Sequence, residues 1–471
     1  SFGVLWELAS RGLEAWATYD SLTRDDARTV LELTHDCAHA GMPDRARGVL
    51  DRAIERTPAH VDSSAMLQYH LAALLDRLGE ISARDDRLRI AQSMPRDRCF
   101  PNRLEDIAVL RVAIERNAGD PLAPFALGNL LYDRGRPEEA LACWTASAKR
   151  APEFATPQRN LGFAMFNVRG DGAAALEAYE RAFAIDTTAA RVLYELDQLA
   201  KRLRRDPGER LDRLETHAEL CDRRDDLALE RITLLNRIGR SREALGLLLS
   251  RNFKPWEGGE GKVPAQFTHA VTSLAAEAIA VDRPEEALTL LQRTEPWPDS
   301  LGEGKLAGIQ ENDIHLLMGV ALRALGRETD AVAYLERAAE GLAEPASAMF
   351  YNDQPPEMIY YQGLALRALG RERDAAGRFE RLITYGREHL SDTPEIDYFA
   401  VSLPEFLVFE PDLTARNESH CRLMMALGHA GLGNHDEAKQ ALEIVLSMDP
   451  AHLLASQMLA EMGRAARDDG G

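Results

Sequence analysis

The sequence predicts an all-α fold, a solenoid of stacked antiparallel helical hairpins, and three observations carry that prediction. Ala and Leu dominate while aromatics are only 6% of the chain, a bias toward helix over sheet. One spacing, Ala followed by a bulky residue four positions on and a small one three later, returns again and again. Such internal similarity is the signature of repeat architectures. No convincing run of alternating strand residues competes with the helical period.

In chain order, residues 4–18 read as a partial first hairpin and 27–58 as the first full one, with Leu33, Gly41, Ala46, Leu50, Ala53 and Pro58 at the repeating offsets. Residues 62–95 carry helix-period leucines around Leu78-Gly79, and 102–117 form an extra helix between Pro101 and the Gly119-Asp120-Pro121 turn. The clearest unit is 121–152, with Leu127, Gly128, Gly135, Ala140, Trp144, Ser147 and Pro152. Residues 155–187 repeat it with one insertion, through Leu161, Gly162, Ala175, Tyr179 and Ala182. Weaker hairpins follow at 189–221, 225–251 and 265–294. Strong ones return at 312–340 (Gly319, Gly326, Ala331, Leu335, Ala338), 356–382 (Gly363, Gly370, Ala375, Phe379) and 419–450 (Gly433, Ala438, Leu442, Pro450), before a closing helix over 450–467. Leu382 stands where the 356–382 unit should have a small residue.

This pattern resembles the tetratricopeptide repeat, which implies a right-handed α-solenoid. Small residues such as Gly128, Ala140 and Ser147 let paired helices approach, bulky ones such as Leu127 and Trp144 plug the gap to the next pair, and Pro152 ends the second helix. A lone hairpin cannot bury its apolar face, whereas stacked neighbours can. The organisation expected is N-terminal hairpins over 1–117, central repeats over 118–251, a Trp/Gly-rich loop at 252–264, and C-terminal repeats over 265–471 with an inserted segment at 391–417. Residues 296–310 form another Gly/Pro-rich break, and loops this long are uncommon in compact arrays and often functional.

Several strings point to a narrower resemblance: C-F-P-N-R-L-E-D-I at 99–107, A-L-G-N-L-L-Y-D at 126–133, R-N-L-G-F-A-M-F-N at 159–167, L-Y-E-L-D-Q-L at 193–199, N-F-K-P-W-E-G-G-E-G-K at 252–262 and D-Y-F-A-V-S-L-P-E-F-L-V-F at 397–409. They are similar to a bacterial family that joins a galactose-mutarotase-like β-sandwich of unknown function to a long repeat array. The resemblance covers nearly the whole chain. It implies that the chain is the C-terminal array, with the sandwich absent or on a separate chain that would be a partner, and a carbohydrate context. The chain opens at Ser1 without methionine, as expected of a processed or excised piece of something longer. No catalytic residue of the array comes with the resemblance.

Composition narrows the partners. The net charge of −20 disfavours non-specific binding to nucleic acid or an anionic membrane, and no stretch has the uncharged length of a membrane span. Five scattered cysteines without a C-x-x-C pair read as reduced thiols in a cytoplasmic protein. Only six basic residues are Lys, so Arg clusters carry less functional weight than usual.

In such hairpins the first helix lines the inner groove, and the second, fifth, ninth, twelfth and thirteenth repeat positions face inward. That register selects His35 and His39, then Asn129, Tyr132, Asp133, Arg159, Phe166 and Asn167, then Thr233, Asn236 and Arg237. Such a lining suits a polyhydroxylated or peptide ligand, because amides and carboxylates hold hydroxyls while aromatic faces stack on sugars. The alternative is that Asn129 and Asn167 bond neighbouring backbone and Tyr132 plugs its hairpin. His35 and His39, one turn apart, have a zinc-like spacing, but Asp36 replaces the Glu of H-E-x-x-H and no third ligand follows, so no metal is expected. The string G-G-E-G-K at 258–262 fails as a phosphate loop, with Trp256 and Val263 at positions that need Gly and a hydroxyl. Its glycines would let Trp256, Glu257, Glu260 and Lys262 project toward the groove or a partner. The alternative is a loop that only staples two hairpins with Trp256 buried. No pattern for nucleophilic catalysis or a cofactor rises above chance. The reading is a non-catalytic binding or scaffolding module for a protein partner, an extended peptide or an oligosaccharide. The alternative is the repeat portion of a carbohydrate-active enzyme, contributing through 252–262.

Overall fold

A computed structural model describes residues 20–21, 23–24, 26–56, 64–256, 258–306, 308–345, 354–394, 408–409 and 412–468. The expected opening hairpin over 4–18, Glu257 and most of the 391–417 insertion lie outside them. The described residues are helical, with no strand among them. The chain divides into two compact units, one up to Thr187 and one from Thr188 onward.

The first unit contains α1 (Ala27–His39), α2 (Pro43–Arg56), α3 (Ser64–Leu78), α4 (Ile81–Gln92), α5 (Leu104–Arg116), α6 (Leu122–Asp133), α7 (Pro137–Arg150), α8 (Ala155–Arg169) and α9 (Gly172–Ile185). These are the predicted hairpins, with α5 as the predicted single helix. The second unit contains α10 (Ala190–Arg202), α11 (Pro207–Thr216), the one-turn α12 (Ala218–Cys221), α13 (Asp225–Arg237), α14 (Ser241–Ser250), α15 (Lys262–Ala280) and α16 (Pro284–Leu291). It continues through α17 (Asn312–Ala324), α18 (Glu328–Ala339), α19 (Met358–Ala368), α20 (Glu372–His389), α21 (Leu413–Leu432), α22 (His435–Met448) and α23 (Leu453–Asp468).

The repeat spacing has a direct physical basis. A Cβ added at Gly128 would lie 2.6 Å from the Trp144 ring, at Gly162 2.6 Å from Tyr179, at Gly319 2.7 Å from Leu335 and at Gly363 2.4 Å from Phe379. Each bulky residue therefore sits on the glycine of its own hairpin, where the sequence reading placed it in the gap to the next pair. Burying such a side chain contributes about 1.5–3 kcal/mol, and only glycine leaves the space. Turns between paired helices need positive φ, supplied by Gly135 at φ 69° in the clearest repeat. In two of the weak hairpins, 189–221 and 265–294, Arg204 (φ 55°) and Asp282 (φ 58°) take that conformation instead, so no turn glycine marks them; 225–251 keeps its glycine, Gly239 at φ 81°.

Several polar groups inside the first unit are paired. Ser147 donates to the Pro121 carbonyl at 2.7 Å. Tyr69 donates to Asp120 at 2.7 Å, and the same carboxylate caps α6 through the Leu122 amide at 2.7 Å. All five cysteines are unpaired, and Cys37, Cys99, Cys221 and Cys421 are buried.

Candidate functional site

In the first unit the predicted groove residues come together but largely satisfy one another. Asn129 accepts from Trp144 Nε1 and from Asn160 Nδ2, both at 3.0 Å. The Tyr132 ring packs 5.5 Å from Trp144 and 5.4 Å from Phe163. Arg159 donates to Asn160 at 3.1 Å and lies over Phe163. Phe166 and Asn167 are half-buried on the same helix, and Asp133 is exposed beside Arg134. Asn160 and Phe163 complete this ladder without having been singled out from the sequence.

His35 is separated from the exposed His39 by 6.2 Å between ring centroids. It packs edge-on to a residue of another helix, the buried His70 on α3, at 4.9 Å. His70 Nε2 lies 2.7 Å from Oδ1 of Asp106, at the start of α5. The fold therefore sets His35 not with His39 but with His70 and Asp106, brought to it from two other helices. Burial, with His70 adding, pushes the His35 imidazole down to about 4.

The second unit uses its polar residues differently. Arg210, 2% exposed, donates to both oxygens of Asp197 at 3.0 and 2.7 Å and to Glu230 at 3.1 Å, and Lys201 reaches Glu230 at 3.0 Å. Against the burial that would raise it, Lys201 and Arg210 hold the Glu230 carboxyl low. Asn236 donates to the backbone and side chain of Gln266. Arg237 donates to the Pro450 carbonyl at 2.7 Å and to Ser456, and Arg204 to the Ser447 carbonyl at 3.1 Å. Both arginines of these early hairpins thus hold the segment leading into α23.

With α23 held there, a cavity of about 920 Å³ opens between it and α15, α17 and α19. Its lining includes Thr268, His269, Trp297, Asp313, Glu357, Tyr360, Tyr361 and Met458, and no Lys or Arg among the described residues. Among the described residues neither Asp313 nor Glu357 forms an ion pair, whereas Glu311 is taken by Lys305 at 2.7 Å. Burial pushes the Asp313 carboxyl up to about 6, with the charges of Glu311 and Glu357 adding to it. Burial raises Glu357 as well and lowers the His269 imidazole to about 4. Trp297 Nε1 is buried without a hydrogen-bond partner. The cavity therefore combines the carboxyls of Asp313 and Glu357 with a Trp and the Tyr360–Tyr361 pair, whose rings lie 5.5 Å apart. The inward register, carried on from the early repeats to the second and fifth positions of 265–294, 312–340 and 356–382, lands on His269, Asp313, Glu357 and Tyr360.

The Trp/Gly loop ends sooner than its sequence suggests, because α15 begins at Lys262. Trp256 is half-buried and folds onto its own loop; a Cβ at Gly259 would lie 2.2 Å from the indole. Lys262 is exposed, and Glu260 is half-buried near Glu303, which accepts the Gly261 amide at 2.8 Å. The Phe253 amide donates to the Ser300 carbonyl at 2.9 Å. The loops over 252–261 and 296–308 brace each other, and among the described residues of the first only Gly261 reaches the cavity.

Family models for the tetratricopeptide repeat match residues 125–190 and 421–452. Among solved structures the chain is similar to YrrB, described as a TPR protein with an unusual peptide-binding site, at 18% identity over 48% of this chain and 97% of that one (TM-score 0.30). It is also similar to a MamA RS-1 ArsTM double mutant at 15% identity over 41% and 92% (TM-score 0.24). A tetratricopeptide repeat protein from Parabacteroides merdae matches at 12% identity over 72% and 98% (TM-score 0.21). Arrays of such repeats make protein-interaction and scaffolding modules, and the repeat matches carry that coarse reading. No helix among the described residues is long and apolar enough to cross a membrane.

Proposed function

We propose that the chain is a non-catalytic binding module whose second unit holds an extended peptide segment of a partner protein in the cavity between α15, α17, α19 and α23. One observation carries this reading: Asp313 and Glu357 stand in an aromatic-lined cavity where no cation among the described residues pairs with them. Carboxylates withdrawn from water without a counter-charge are costly. A ligand that brings a positive group on an apolar stem relieves that cost, and the rings of Tyr360, Tyr361 and Trp297 suit such a stem and its cation. The best occupant is a peptide presenting Lys or Arg, read by rigid helices at fixed spacing. At about 920 Å³ the cavity has room for more than one side chain.

The test is a fluorescence or calorimetric titration of the chain with a peptide array in which each Lys or Arg is paired with its Gln counterpart. Basic peptides should bind at least about tenfold tighter, and Asp313→Asn or Glu357→Gln should erase the difference, since hydrogen bonds to charged groups contribute about 1.5–3 kcal/mol. Equal binding of basic and neutral peptides, or none at all by the folded chain, would remove the reading. A second reading rests on the same lining, because carboxyls beside Trp and Tyr also suit a polyhydroxylated ligand. Oligosaccharides in the same panel test it. The separately expressed mutarotase-like sandwich tests whether that domain is the partner.

A further inference from the structure

Three helices of the first unit, α1, α3 and α5, bring His35, His70 and Asp106 together so that one ligand atom from each lies within 4.8 Å of the others. Asp106 is held from behind. Its Oδ2 accepts the amides of Asn102 and Arg103 at 2.9 and 3.0 Å, which leaves Oδ1 facing the imidazole of His70. The His70–Asp106 contact by itself is an ordinary buried pair. What it does not account for is His35, whose Nε2 is buried and has no hydrogen-bond partner. Buried polar atoms left unpaired are rare in folded proteins, and this one lies in the same small cluster as a second imidazole and an oriented carboxylate.

We infer that His35, His70 and Asp106 form a binding site for a divalent transition metal of the zinc type. Two imidazoles and one carboxylate suit zinc and its first-row neighbours, whereas calcium and magnesium prefer all-oxygen cages. Ligands about 2.1 Å from a tetrahedral metal stand about 3.4 Å apart. The metal would therefore open the His70–Asp106 contact slightly and draw His35 inward. It would take the place of the hydrogen between His70 Nε2 and Asp106, which requires the His70 tautomer that carries its proton on Nδ1. Water completes the coordination. The Asn102 and Arg103 amides act as the supporting shell that keeps the carboxylate aimed. Because the three ligands come from three different helices, the metal would clip the N-terminal hairpins together. This site is independent of the cavity in the second unit.

The test uses the full chain, stripped with a chelator and titrated with Zn²⁺ by calorimetry and with Co²⁺ by visible absorption. One site per chain is expected, with a rise in Tm on loading and Co²⁺ bands of low-symmetry nitrogen and oxygen coordination. His35→Phe keeps a ring in place and removes the nitrogen. It should weaken metal binding at least about tenfold, abolish the Co²⁺ bands, and leave the metal-free Tm and helical signal close to wild type. His39→Ala should leave metal binding unchanged. The proposal fails if the folded wild type binds no stoichiometric metal, if binding survives His35→Phe, or if His39→Ala alone removes it. A thiolate-to-cobalt charge-transfer band would overturn it too, by assigning the metal to cysteine.

Discussion

The two units are made of the same kind of hairpin and spend their polar residues in opposite ways. In the first, Asn129, Trp144, Asn160, Tyr132 and Arg159 bond or stack on one another until little is left over. In the second, repeat regularity decays, a buried Asp197–Arg210–Glu230–Lys201 cluster replaces glycine–aromatic packing near its start, and a cavity with two unpaired carboxyls remains. The difference does not follow repeat regularity alone: Asp313 and Glu357 belong to the strong 312–340 and 356–382 hairpins, whose glycines pack as closely as those of the first unit. What separates the two regions is whether the neighbouring side chains supply a partner for each inner polar group.

The sharpest way to break this comparison is to remove the core element of each unit. Trp144→Ala should cost about 3–5 kcal/mol in chemical denaturation, the usual toll for a buried large aromatic. Arg210→Ala should cost a similar amount by stranding Asp197. The units should then part company, because Asp197→Leu with Arg210→Met restores most of the loss, whereas no polar or aliphatic replacement restores Trp144. Rescue failing in the second unit would show that its ionic cluster is packed as tightly as the glycine–aromatic pairs.

A smaller effect is expected from filling the glycine slot. Gly128→Val places atoms against the Trp144 ring and should cost about 1–3 kcal/mol by overpacking, read as a shift in denaturation midpoint without a change in slope.

Next comes pH dependence in the second unit. Asp313 is pushed up to about 6, so below that pH it is largely protonated in the unliganded chain. A cationic ligand favours the ionised form and must displace that proton. Affinity should fall as pH drops from 7 to 5, by about tenfold per proton taken up per pH unit. Asp313→Asn should flatten the profile. A flat profile in the wild type would sever the carboxyl from binding. The smallest effect belongs to Asp133→Ala in the first unit, an exposed site where stability should change by no more than about 0.5 kcal/mol, measurable only as coincident melting curves.

Much of the fold was legible residue by residue. Gly128 with Trp144 and Gly363 with Phe379 announce their contact because both partners lie within one hairpin, at offsets that the helix period dictates. The 189–221 and 265–294 hairpins were legible only as periodicity, since Arg204 and Asp282 stand where a turn glycine, like Gly239 in 225–251, would have marked them. The candidate site was less visible. His35 stood out but its partners did not, because His70 and Asp106 carry no local motif. Arg237 sat in an inward register position, yet the segment before α23 claims it, a contact that no spacing along the chain encodes. Trp256 looked poised to project, and Gly259 instead gave it a place to lie down.

What the sequence by itself determined is the repeating unit: helix, tight turn, helix, with a glycine facing a bulky side chain, all set by interactions a few residues long. Which inner faces stay open was decided only in three dimensions. Closing the cavity took α23 returning to α13, and assembling the imidazole–carboxylate cluster took three separate helices. Burial and charge at such places depend on which distant segments arrive, and local spacing carries no information about that.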